Sequence, residues 1–148
     1  MIGWFNRRLR KDREDGAALV EFAIVLPFLM LLLMGMIEFG WAFGNNLDVR
    51  HGAREAARLA AVNFGSVAAM GASTCDSMDF SDGQVITFSL LGTAEVGQLA
   101  RVSVVLSPYT SLSGFLDWAM PAALSTTVEI RLEQKATWAS GGTYTCTP

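Results

Sequence analysis

Residues 12–46 read "DREDGAALVEFAIVLPFLMLLLMGMIEFGWAFGNN", and the fold follows from how this stretch is taken. No charge falls between Phe22 and Ile37, and from Ala17 to Gly44 only Glu21 and Glu38 interrupt the apolar run. About twenty helical residues cross a hydrocarbon core roughly 30 Å thick, so the segment is long enough to span. Five of the eleven basic residues precede it: Arg7, Arg8, Arg10, Lys11 and Arg13. Basic flanks stay cytoplasmic, which directs residues 1–15 inward and the remainder outward. A cleaved secretory signal is the competing reading. Its apolar core would be only about 7–15 residues, with a small-residue cleavage site behind it. The run here is longer and ends in "GWAFGNN".

The pattern changes downstream. In "NNLDVRHGAREAARLAAVNF" (45–64), Ala53, Ala57 and Ala61 recur on one helical stripe and Arg50, Arg54 and Arg58 on another. Glu55 stands at pairing distance from Arg58. Gly52 weakens the helix by up to about 1 kcal/mol relative to alanine. Unbroken from Ala17 to Phe64, the helix would be about 70 Å long and stand clear of the bilayer. After "GSVAAMGAST" the period becomes two. Ile86, Phe88 and Leu90 share a face in 84–90, and Val102, Val104 and Leu106 share one in 100–106. In 125–134, Val128, Ile130 and Leu132 oppose Thr127, Glu129, Arg131 and Glu133. These segments predict strands of a small antiparallel sheet with one face buried. Between the last two, Phe115, Leu116, Trp118 and Ala119 predict a short helical turn ending near Pro121. The tail "WASGGTYTCTP" reads as loop.

The expected fold is therefore α+β: a long N-terminal helix followed by a small antiparallel head. Its divisions are a basic leader (1–16), a transmembrane helix (17–44), an amphipathic extension (45–64) and an extracytoplasmic head (65–148). At 148 residues and 51% hydrophobic, the chain holds one modest globular domain plus an accessory segment. Cys75 and Cys146 both fall on the outer side. With one histidine and no C-x-x-C, a disulfide is favoured over a metal site, and two unpaired buried cysteines are the alternative. Closing a loop of about 70 residues stabilises by roughly 4 kcal/mol in the chain-entropy model.

Glu21 demands an explanation. A carboxylate in the apolar layer costs roughly 3 kcal/mol on insertion scales and is normally paired. No lysine or arginine follows within a helical turn, and Arg13 lies eight positions back. Cleavage after Gly16 would create a counter-ion, because the α-amine of Ala17 is cationic below a pKa near 8. That amine lies four residues before Glu21, and in an assembly it could meet a neighbour's Glu21 instead.

A basic leader, glycine, four small or apolar residues, Glu-Phe and a long apolar helix together resemble a class III prepilin signal. Gly16 stands at −1, Glu21 at +5 and Phe22 at +6. With Pro27, "EFG" at 38–40 and "AREAAR" at 53–58, residues 12–62 resemble the TadE family of the tight-adherence (Tad, or Flp) pilus system. The resemblance implies a minor pilin or pseudopilin processed at Gly16, Ala17, Glu21 and Phe22 by a membrane prepilin peptidase. Its partners would be other Tad pilins, the inner-membrane assembly platform and the lipid bilayer. Its location would be single-pass in the cytoplasmic membrane, with an inner N-terminus, an outer head and entry into a surface pilus as a further expectation. Type IV pilins and type II secretion pseudopilins usually carry Phe at +1 and "TLIE" after it. Ala17 and "ALVE" depart from that pattern.

Gly35, Gly40 and Gly44 thin the helix surface and suit close helix packing, as do Ala53, Ala57 and Ala61. Glu38 either meets a cation on a partner helix or sits at the interface beside Trp41. Arg50, Arg54 and Arg58 are read as a partner contact in preference to a solvated face. His51 lacks further ligands at metal spacing. Asp76, Asp79 and Asp82 lack the glycine and terminal glutamate of a calcium loop. No cofactor or metal is expected. No G-x-S-x-G, P-loop or paired-carboxylate motif points to an enzyme or a small-molecule substrate. Removing the leader takes the net charge from −3 to −5, which disfavours nucleic acid. An uncleaved, single-pass binding or adhesion module of the envelope is the alternative function.

Overall fold

The computed structural model describes residues 5–114 and 116–147, with side chains from residue 16 onward. Helix α1 runs unbroken over Phe5–Ala61, with Pro27 and Gly52 inside it. A second helix, α2, covers Val67–Asp76. It starts where the Ser66 hydroxyl accepts the Ala69 N–H at 3.2 Å, satisfying an otherwise orphaned first-turn donor. Four strands follow: β1 (Gln84–Leu90), β2 (Leu99–Leu106), β3 (Leu124–Arg131) and β4 (Gly142–Thr145). Their order is β3-β2-β1-β4, and every pairing is antiparallel. The α+β architecture anticipated from the hydrophobic periods is thus the one adopted.

The chain divides into two compact units, one ending at Phe39 and the other beginning at Gly40. In the first, the residues from Gly16 to Ile37 are exposed or half-buried all round the helix, while Glu38 is fully buried. The second has its own core. Ile86 and Phe88 of β1 register with Val104 and Val102 of β2, and Val102 registers in turn with Val128 of β3. The face so formed closes with Val49, Ala53, Ala56, Ala57, Leu59 and Ala60 of α1 in one cluster. Apolar burial of this kind is worth about 25 cal/mol per Å2.

Three details differ from the sequence reading. Strand β3 ends at Arg131, yet Leu132 remains buried and its N–H donates to the Gln98 carbonyl at 2.8 Å. The tail read as loop contains β4, which pairs along Val85–Phe88 and supplies backbone partners to an otherwise open edge. The helical turn before Pro121 is a 3-10 turn over Asp117–Ala119, and Phe115 lies outside the described residues. The disulfide Cys75–Cys146 joins the end of α2 to the residue after β4, with Cα atoms 5.7 Å apart.

Candidate processing and assembly site

The residues singled out for processing stand where the described side chains of α1 begin. Gly16, Ala17, Glu21 and Phe22 are all exposed on a continuous helix. The side chains of the basic leader before Gly16 lie outside the described residues. From Gly16 the helix is long and apolar enough to cross a membrane, and none of its most apolar window is buried in the chain. In water, exposed Leu19, Phe22, Ile24, Phe28 and Leu31 would be unfavourable. A run of this length with no polar face is the pattern of a helix solvated by lipid.

The small residues divide into two groups. A Cβ placed on Gly35 or on Gly40 meets nothing within 4 Å, so each leaves an open helix surface. At Gly44 a Cβ would lie 3.7 Å from the Phe80 ring, so the head itself covers that position. Ala53, Ala57 and Ala61 are buried in the core of the second unit. Their helix packing is therefore against the chain's own sheet.

The charges divide likewise. Arg58 donates to Glu55 at 2.6 and 3.0 Å. Glu55 is held below the ordinary carboxylate range, chiefly by the Arg58 hydrogen bond, against the opposing effect of burial and with smaller help from the charges of Arg58 and His51. Arg58 is raised by the same pair. Arg50 and Arg54 are exposed and enter none of the ion pairs formed among the described residues. Of the three arginines on this stripe, they are the two outside the Glu55 pair. Glu38 is buried in the folded chain, so a partner's cation would reach it only after rearrangement.

Asp48 is a residue that sequence reasoning passes over. It is buried, and its two carboxylate oxygens accept the backbone N–H groups of Asp79 and Phe80 at 3.0 Å each, while Gln84 Nε2 approaches one of them at 3.3 Å. Hydrogen bonds to a charged group are worth about 1.5–3 kcal/mol each. One helix carboxylate thus fixes the turn that leads from α2 into β1. Beside it lies a cleft of about 620 Å3, lined by Trp41, Asn45, Phe80, Asp82, Pro108 and Tyr109 among others. Asp76, Asp79 and Asp82 are exposed, and no group of three metal-ligating side chains forms among the described residues.

With the exposed apolar helix and its Gly16–Phe22 start in place, the decisive comparison concerns that helix. Residues 16–58 match the TadE-like protein family. The TadE-like segment begins at Gly16 and ends with the Glu55–Arg58 pair. It covers both the lipid-like surface and most of the α1 stripe that closes the head's core. The match associates the chain with the Tad pilus system, a family not known for enzymes. No curated protein and no solved structure matches the chain.

Proposed function

We propose that the protein is a minor pilin or pseudopilin of Tad pilus biogenesis, cut after Gly16 and packed through its N-terminal helix into a pilus or assembly complex. The observation that carries this reading is the TadE-like match that starts at Gly16 on a helix whose residues up to Ile37 are exposed or half-buried all round. Before assembly, the helix spans the cytoplasmic membrane with the basic leader inside and the head outside, as the positive-inside rule requires. A peptidase working at the cytoplasmic face removes the leader. The new Ala17 ammonium then lies one helical turn from the exposed Glu21, or bonds a neighbour's Glu21 once helices pack. That pairing offsets the cost of an acid in lipid. Gly35 and Gly40 allow close helix approach, and Arg50 and Arg54 give a cationic face to an adjoining subunit.

Intact-mass and N-terminal mass spectrometry of the protein from native membranes tests the reading. A mature chain beginning at Ala17, together with accumulation of the full chain when Gly16→Glu is introduced, is the expected result. A chain retaining Met1 or Ile2 while fully functional would instead identify an uncleaved anchor carrying a binding head.

A further inference from the structure

The ends of the head can be told apart from contacts inside the second unit. At one end, the Ala61 carbonyl accepts the N–H groups of Glu133 and Gln134 at 2.9 and 3.2 Å. Trp41, twenty residues earlier and about 30 Å back along a helix, shares a cleft with Ser107, Pro108, Tyr109 and Thr110. Those four residues open the connection from β2 to β3, which leaves the sheet where Leu106 registers with Leu124. Loop 107–123 therefore roots at the Trp41 end of the head. Trp41 lies just past Ile37, the last residue of the uncharged run.

The loop is ordered from within. Tyr109 N–H donates to the Ala122 carbonyl at 3.0 Å, and Ser111 N–H donates to Asp117 Oδ1 at 2.7 Å. Gly114 N–H donates to Ser111 Oγ at 3.1 Å, and the 3-10 turn closes through Ala119 N–H to the Leu116 carbonyl at 2.9 Å. On this built scaffold Trp118 is 84% exposed and Leu112 56% exposed. Residues 107–123 contain no lysine or arginine, and their single charge, Asp117, is occupied by Ser111. An indole held outward has an apolar body and a polar N–H. It is favoured at the headgroup level of a bilayer.

We propose that loop 107–123 seats Trp118 in the interfacial layer of the bilayer that the apolar helix crosses, giving the head a second membrane contact. This rests on the helix being membrane-anchored. The occupant is the phospholipid surface itself, because the loop roots beside Trp41, near the outer end of the apolar run. Attachment is apolar, so it does not need anionic lipid. Extraction of the subunit into an assembly would have to release it.

The full chain, labelled with fluorotryptophan, would be reconstituted in phosphatidylcholine nanodiscs with and without a nitroxide on the upper acyl chain. The full chain would carry W4F to remove the leader tryptophan, leaving three fluorine NMR signals that W41F and W118F assign. The expected result is several-fold broadening of both Trp41 and Trp118 by the nitroxide, with the buried Trp138 unaffected. Broadening of Trp41 alone overturns the loop contact while leaving the anchor intact. Broadening of neither overturns the anchor and the loop contact together. A Trp118 signal that ignores the nitroxide but shifts as copies per disc increase assigns the loop to a second chain, which also overturns it.

Discussion

Asp117 shows how much a single side chain organises. Its carboxylate lies below the ordinary range, chiefly because the Ser111 backbone N–H bonds its charged form and secondarily through the Ser111 side chain, with a smaller opposing effect of desolvation. A folded-state pKa depressed below the unfolded value, about 3.9, contributes stability that is present above that value. The contribution is lost as pH falls through the folded pKa. The Ser111 amide shift should therefore titrate with a midpoint below the usual carboxylate value, and D117N should flatten the curve while keeping the loop, since its amide oxygen still accepts. An NMR pH titration of the full chain in micelles checks both. Glu21, an acid in a greasy run, announces itself in the sequence. Asp48 does not, because its partners lie 31 and 32 residues away. Local order carries no mark of an acceptor whose donors arrive only on folding.

At the scale of elements, two close approaches explain glycines inside helices. A Cβ on Gly71 of α2 would overlap the base of the Tyr144 side chain on β4. One on Gly52 of α1 would overlap the Met78 sulfur. Tyr144 cannot retreat without moving its strand, whereas a thioether has three rotatable bonds. Gly71→Ala should therefore destabilise the head by about 1–3 kcal/mol through overpacking. Gly52→Ala should cost less, because alanine also regains up to about 1 kcal/mol of helix propensity. Urea unfolding in detergent, monitored at Trp138, compares them. From sequence alone, Gly52 read only as a weak point in the helix. Strands β1 to β3 were legible because one face is buried and alternation follows from the pleat. Helix α2 and strand β4 were not. The first is a short run of alanine, serine and glycine that its cap and the packing of Met70 and Thr74 hold in place. The second is four residues that gain a partner only when β1 offers its edge.

For the molecule as a whole, the compact units divide at Gly40. The sequence division leaves the helix extension outside the head. In the structure, Val49, Ala53, Ala56, Ala57, Leu59 and Ala60 form part of its core. A chain beginning at Gly40 should be soluble, form the Cys75–Cys146 bond and unfold cooperatively. One beginning at Gly65 should not fold, since it lacks the helix that covers the sheet. Circular dichroism melts and thiol titration of both secreted fragments separate these outcomes. Restoring residues 40–64 as a separate peptide should recover structure only in the second.

What the amino-acid order settles by itself is the length of the apolar helix, its basic flank, the glycine-glutamate-phenylalanine spacing and the alternating strands. Each is a property of near neighbours in the chain, written as a period or a spacing. Folding alone decides that the alanine stripe of α1 turns inward, that Asp48 holds the turn before β1, and that Trp118 stands exposed on its loop. Burial and hydrogen bonding there join residues tens of positions apart, and such contacts exist only once the backbone has closed around them.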